Sequence, residues 1–184
     1  MRKSILIGLK LAVVCMGASL LLGFVNVITL PAIEENRRIA LQNALAAVNR
    51  VGTPGEMVIV EGSRVVRNFY PVFLDDGTIS SYILTVVGDG YAGDLIMLAN
   101  YELNGNLIAA VMMEHTETPG IGDAPERAVY YEKFIGRGAD VPIPTRRSQL
   151  TVAQSDSIAG ATITFIGVAN ALAYGSNFVK NKGE

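Results

Sequence analysis

"DLIMLANYELNGNLIAAVMMEH", residues 94–115, decides the fold. Two apolar runs flank Asn104-Gly105-Asn106, and an Asn-Gly pair between such runs marks a tight antiparallel hairpin. Upstream, "MVIV" (57–60), "RVVRNFYPVFL" (64–74) and "ISSYILTVV" (79–87) are rich in branched and aromatic residues and read as strands, the last following an Asp75-Asp76-Gly77 turn. Downstream, "PERAVYYEKFIG" (125–136) reads as a helix capped by Asp123, "RGADVPIPTRRSQ" (137–149) as a loop and "LTVA" (150–153) as a short strand. Thr164 is placed to cap a final helix from Phe165 to about Lys180. Strands grouped together with helices at the ends predict an α+β domain, an antiparallel sheet with flanking helices.

The N-terminal part follows another rule. Leu11 to Leu30 carries no charge, and its twenty residues match the ~20 needed to cross a ~30 Å hydrocarbon layer. Arg2, Lys3 and Lys10 precede it and acidic residues begin at Glu34, so the N-terminus is expected in the cytoplasm and the remainder outside it. A cleaved signal peptide is the rival reading, but the apolar run exceeds the ~7–15 residues of a signal core and no small-x-small site follows. Cys15, after bulky Val14, does not resemble a lipoprotein site. Pro31 closes the apolar pattern, and "AIEENRRIALQNALAAVNRVG" (32–52) reads as an amphipathic connecting helix, followed by a "TPGE" turn. The expected organisation is an anchor at 1–30, a connector at 31–56 and an extracytoplasmic domain at 57–184.

All 17 acidic residues lie beyond Leu30 against 12 of the 15 basic ones, a net charge of −5 there that argues against nucleic acid. One cysteine permits no internal disulfide, and one histidine falls short of the clustered imidazoles of most catalytic zinc sites. Neither G-x-G-x-x-G after a strand nor a phosphate-loop motif is present.

Two segments stand out for chemistry. In "HTETPGIG" (115–122) a strand ends in His115 and Glu117, then Pro119, Gly120 and Gly122 turn the chain and expose amides able to receive an anion or a ring carbonyl. A plain tight turn has the same composition, and His115 alone reads as a satisfied structural histidine. In "DSIAGATIT" (156–164) a helix beginning near Thr164 would offer free amides to a phosphate where Thr162 projects its hydroxyl, with Gly160 and Ala161 leaving room. Asp156 would then point away, or hold a metal or a donor group, because carboxylate and phosphate repel. A Thr162–His115–Glu117 hydrolytic triad is a further arrangement, with nothing in the sequence to fix the three together.

Taken together, the anchor, "GYAGDLIMLANYELNGNLIAAVMMEHTETPGIG" and the late "DSIAGATIT" resemble the FMN-binding-domain family. More narrowly, they look like the G-subunit branch of Rnf ion-translocating ferredoxin:NAD oxidoreductases; C subunits of sodium-pumping NADH:quinone reductases are close relatives. That resemblance implies an FMN attached covalently, through its phosphate, to the threonine of a D-x-x-[ST]-G-A-T-x-[ST] motif. Here that threonine is Thr162, with Asp156, Gly160, Ala161 and Thr164 at the other motif positions and Ala159 where the family has serine or threonine. It also places Glu117, Thr118, Pro119, Gly120 and Gly122 beside the flavin ring. The same resemblance implies an electron-relay subunit of an ion-pumping membrane complex with no catalytic acid or base of its own. It would work with other subunits and membrane lipid, and be matured by an FMN transferase using FAD and magnesium. The FMN subunit of a sodium-pumping NADH:quinone reductase or of another membrane redox system is one alternative, and an anchored, non-redox interaction domain is the alternative from another class.

Overall fold

The structure, a computed structural model, describes residues 2–156, 158 and 160–183. Two compact units divide it, Met1–Leu41 and Gln42–Glu184. The first is part of one helix, α1 (Arg2–Val48), whose apolar side chains from Ile5 to Ile39 are exposed. Among the described residues it is long and apolar enough to cross a membrane. Pro31 sits inside α1 rather than at its end. A proline removes one helical hydrogen bond and crowds the preceding turn, yet the helix runs through it, so the anticipated boundary between anchor and connector is not a break in secondary structure.

The second unit begins with the last turns of α1, where Ala44 and Val48 are buried. The buried Asn100 amide donates to the Val48 carbonyl at 3.0 Å, supplying a partner to a helix-end oxygen that has none within the helix. Six strands follow: β1 (Thr53–Pro54), β2 (Val58–Ile59), β3 (Val66–Phe73), β4 (Ile79–Asp89), β5 (Asp94–Glu102) and β6 (Leu107–Glu114). They pair antiparallel in the order β1-β3-β4-β5-β6, with β2 also on β3. The predicted hairpin is β5–β6, and Gly105, at φ 88°, takes the left-handed conformation its turn requires. The "TPGE" segment differs from a simple turn: Thr53 and Pro54 pair with Phe73 and Val72.

Beyond the strands, residues Val152–Asp156 form a short helix, α2, and the last element is α3 (Thr162–Gly183), which packs across β4 and β5. Phe165, Val168, Ala169 and Leu172 meet Leu84, Val86, Leu95 and Met97 in a core closed to solvent. Gly167 and Gly88 let the two backbones touch, since a Cβ on Gly167 would meet the Asp89 carbonyl oxygen and one on Gly88 the Gly167 oxygen. Tyr101 reaches across this interface to donate to the Leu172 carbonyl at 2.9 Å. The α+β architecture is therefore the one the strand grouping predicts.

Three local expectations are corrected. The 125–136 segment forms two 3-10 turns, Ala124–Glu126 and Ala128–Lys133, rather than one α-helix. Asp123 makes no cap; its carboxylate accepts from the Gly120 amide at 2.8 Å. "LTVA" is not a strand, because its second half is already the start of α2.

Candidate functional site

The two segments singled out by sequence meet at the start of α3. Ala161 is the residue whose carbonyl accepts the first helical bond, from Phe165 at 2.9 Å. The amides of Thr162, Ile163 and Thr164 are therefore left without carbonyl partners inside the helix, the arrangement that makes a helix N-terminus a seat for anions. Gly160, at φ 83°, brings the chain into this start, and a Cβ placed on it would have only Ile121 Cγ2 nearby, at 4.0 Å. Thr162 is the first residue of the helix and is exposed.

Thr164 departs from its expected capping role. It is buried, and its hydroxyl donates to Glu117 Oε2 at 2.7 Å. The other carboxylate oxygen, Oε1, accepts the Ala92 amide at 3.0 Å. Glu117 is only 7% exposed. Burial pushes its carboxyl upward, but the Ala92 amide, the Thr164 hydroxyl, the Tyr91 amide and the nearby His115 together hold it below the ordinary carboxylate value. One buried acid thus ties three segments together: the 90–93 turn, the 117–122 turn and the first turn of α3. Gly122 is required beside it, because a Cβ there would lie 2.7 Å from that of Glu117.

These segments enclose a cavity of about 420 Å³, within the usual range for a small-molecule site. Of the sequence candidates, Glu117, Thr118, Gly122, Gly160, Ala161, Thr162 and Thr164 line it. Pro119 and Gly120 belong to the same turn but are not in the lining. Asp156 is exposed at the end of α2. His115 is held elsewhere: Nδ1 accepts the Glu117 amide at 3.1 Å, and Nε2 is 2.7 Å from Glu126 Oε1. A triad of Thr162, His115 and Glu117 has no support in these bonds, since Glu117 is engaged through Thr164 and the 90–93 turn. The Ala159 position lies outside the described residues.

Sequence reasoning missed the rim. Tyr91, Ile121 and Ile163 also line the cavity and are 75%, 58% and 52% exposed. The "GYAG" of residues 90–93 carried a signal: a glycine at 90 is needed because a Cβ there would strike Glu117 Oε1. Among the described residues no group of three or more His, Cys, Asp or Glu is placed to hold a metal.

Comparison with known proteins adds a family and relatives. Residues 90–176 match the family described as the FMN-binding domain. A Salmonella typhi protein named as the G subunit of an ion-translocating oxidoreductase complex is 27% identical over 179 residues, covering 90% of this chain and 85% of that protein. A Haemophilus influenzae (strain PittEE) protein of the same name is 42% identical over 55 residues, 29% of this chain and 27% of the relative. Among solved structures, the crystal structure of Shewanella oneidensis NqrC is similar at 24% identity, covering 74% of this chain and 73% of that one, with a TM-score of 0.49.

Proposed function

Because residues 90–176 match the FMN-binding-domain family, we propose that the chain is an electron-transfer subunit of a membrane-bound, ion-translocating oxidoreductase, holding FMN by a phosphoester to Thr162. The observation that carries this reading is the placement of an exposed threonine at the first residue of α3, beside three amides without helical partners, in the wall of the cavity that the Glu117–Gly122 turn completes. The names of the Salmonella relatives support membership in such a complex.

The residues present fit the group. The amides of Thr162, Ile163 and Thr164 and the α3 dipole stabilise a phosphodiester's charge. Gly160 and Ala161 leave room for it, and the exposed faces of Tyr91, Ile121 and Ile163 suit a flat, largely apolar ring. When bound, FMN supplies one- and two-electron redox chemistry; the chain supplies position and electrostatics. Glu117 is engaged by its three donors and fixes the mutual position of the walls, so it serves as a positioning residue and not as a proton donor. Attachment forms the bond from Thr162 Oγ1 to phosphorus and, with FAD as donor, breaks its pyrophosphate link, releasing AMP and a proton; a separate magnesium-dependent transferase carries this out.

The positive residues ahead of the apolar run support a cytoplasmic N-terminus and a domain outside the cytoplasm, where a tether prevents loss of the cofactor. The anchor holds the carrier near its partners in the membrane, which raises its effective concentration there.

The experiment is coexpression with the transferase and a denaturing gel of the product. Flavin fluorescence is expected on the wild-type band and is lost in Thr162→Ala, while Thr118→Ala keeps it. Fluorescence that survives Thr162→Ala contradicts the tether.

A further inference from the structure

A second cavity, of about 470 Å³, lies against the Ala128–Lys133 turn and α2, with Lys133, Tyr130, Arg127, Val129, Glu132 and Ala153 in its wall. Lys133 is the unusual member. It is 5% exposed, its Nζ has no hydrogen-bond partner among the described residues, and the ammonium rests 3.5 Å above the centre of the Tyr130 ring. A ring face offsets part of the loss of water around a cation, but it provides no acceptor for three N–H donors. Buried cations in folded proteins are ordinarily paired, since an uncompensated one is costly to desolvate.

The surroundings show what would complete it. Arg127 is exposed and, like Lys133, makes no ion pair among the described residues. Glu132, the one acid in the wall, is exposed and bridges neither cation. Apart from the polar Gln154, the rest of the wall is aromatic or aliphatic, and the volume exceeds that of a lone oxyanion. We propose that this cavity is a binding site for a small organic anion, an acid head on an apolar body, whose carboxylate pairs with the Lys133 ammonium while Arg127 steers it at the mouth. The four-carbon lysine stem lets Nζ swing from the Tyr130 face to the bound carboxylate. The apolar body lies along Tyr130, Val129 and Ala153. The site is independent of the flavin reading, sharing no lining residue with the Thr162 cavity.

Benzoate is the probe, titrated into the full chain in detergent and followed calorimetrically, with benzyl alcohol as its neutral counterpart. Saturable benzoate binding is expected, weakened about tenfold or more in Lys133→Met, the loss of one charge-assisted hydrogen bond, and less in Arg127→Gln and Lys133→Arg. Benzyl alcohol should bind more weakly and be indifferent to Lys133→Met. Met keeps the apolar stem, and a cooperative melt of that variant confirms that it folds; should it not fold, Lys133→Arg and the benzyl alcohol comparison still decide. No saturable binding of benzoate, equal affinity in folded Lys133→Met, or benzyl alcohol binding as tightly as benzoate would overturn the proposal.

Discussion

Two buried charged residues behave in opposite ways, and each sets a prediction. Glu117 is surrounded by donors, so its ionised form is favoured. Glu117→Gln puts an amide N–H₂ where one oxygen now accepts, opposing either the Ala92 amide or the Thr164 hydroxyl, and should cost about 1–3 kcal/mol in denaturant unfolding at neutral pH. Because the folded carboxyl lies below its ordinary 4.5, the unfolded chain binds the proton more tightly. The stabilisation is thus present above that value and lost as pH falls, so the gap between variant and wild type should narrow in acid. Lys133 is the converse. Burial lowers its ammonium to about 8 from 10.5, so this residue's contribution makes stability rise as pH climbs between those values. Lys133→Met should melt higher than wild type at pH 7, with the difference shrinking by pH 10; a lower melting temperature at pH 7 counts against an unpaired ammonium. Neither role was legible beforehand. The sequence offered Glu117 as a turn residue, a triad member or a neighbour of the flavin ring but not as the acid that holds Thr164, and it gave no sign of Lys133, because burial of one lysine in "YYEKF" depends on 3-10 turns that a helical reading replaces with a different face.

At the scale of elements, β4–β5–β6 and the last helix were readable because alternation, Asn-Gly punctuation and a long apolar periodicity are local signals. The helix start was not readable, because it is set by a tertiary bond: with Thr164 committed to Glu117, the first helical bond falls to the Ala161 carbonyl and Thr162 becomes the first residue. That shift moves the tethering candidate onto the helix itself, closer to the free amides than the local sequence implies. The same segment depends on the contact between α3 and β4 at Gly167 and Gly88. Gly167→Val has no room against the Asp89 carbonyl and should lower unfolding free energy by about 1–3 kcal/mol or more, although valine is otherwise tolerated in helices. An unchanged denaturation midpoint would mean that the helix does not approach the strand so closely.

For the whole molecule, the long apolar helix was plain from charge and length, but its continuity through Pro31 was not, since proline is read as a stop unless the surroundings hold the helix together. The proposed topology rests on Arg2, Lys3 and Lys10 ahead of the uncharged run. An alkaline phosphatase reporter placed after the last residue should be active, and reversal of that result would put the domain in the cytoplasm. The proposed tether at Thr162 is tested most directly by the intact mass of the full chain coproduced with the transferase. It should exceed the mass of the polypeptide by one FMN less one water, with the addition on the peptide containing Thr162 and absent from Thr162→Ala. An intact mass equal to the bare polypeptide, in cells where the transferase modifies another substrate, would contradict the account.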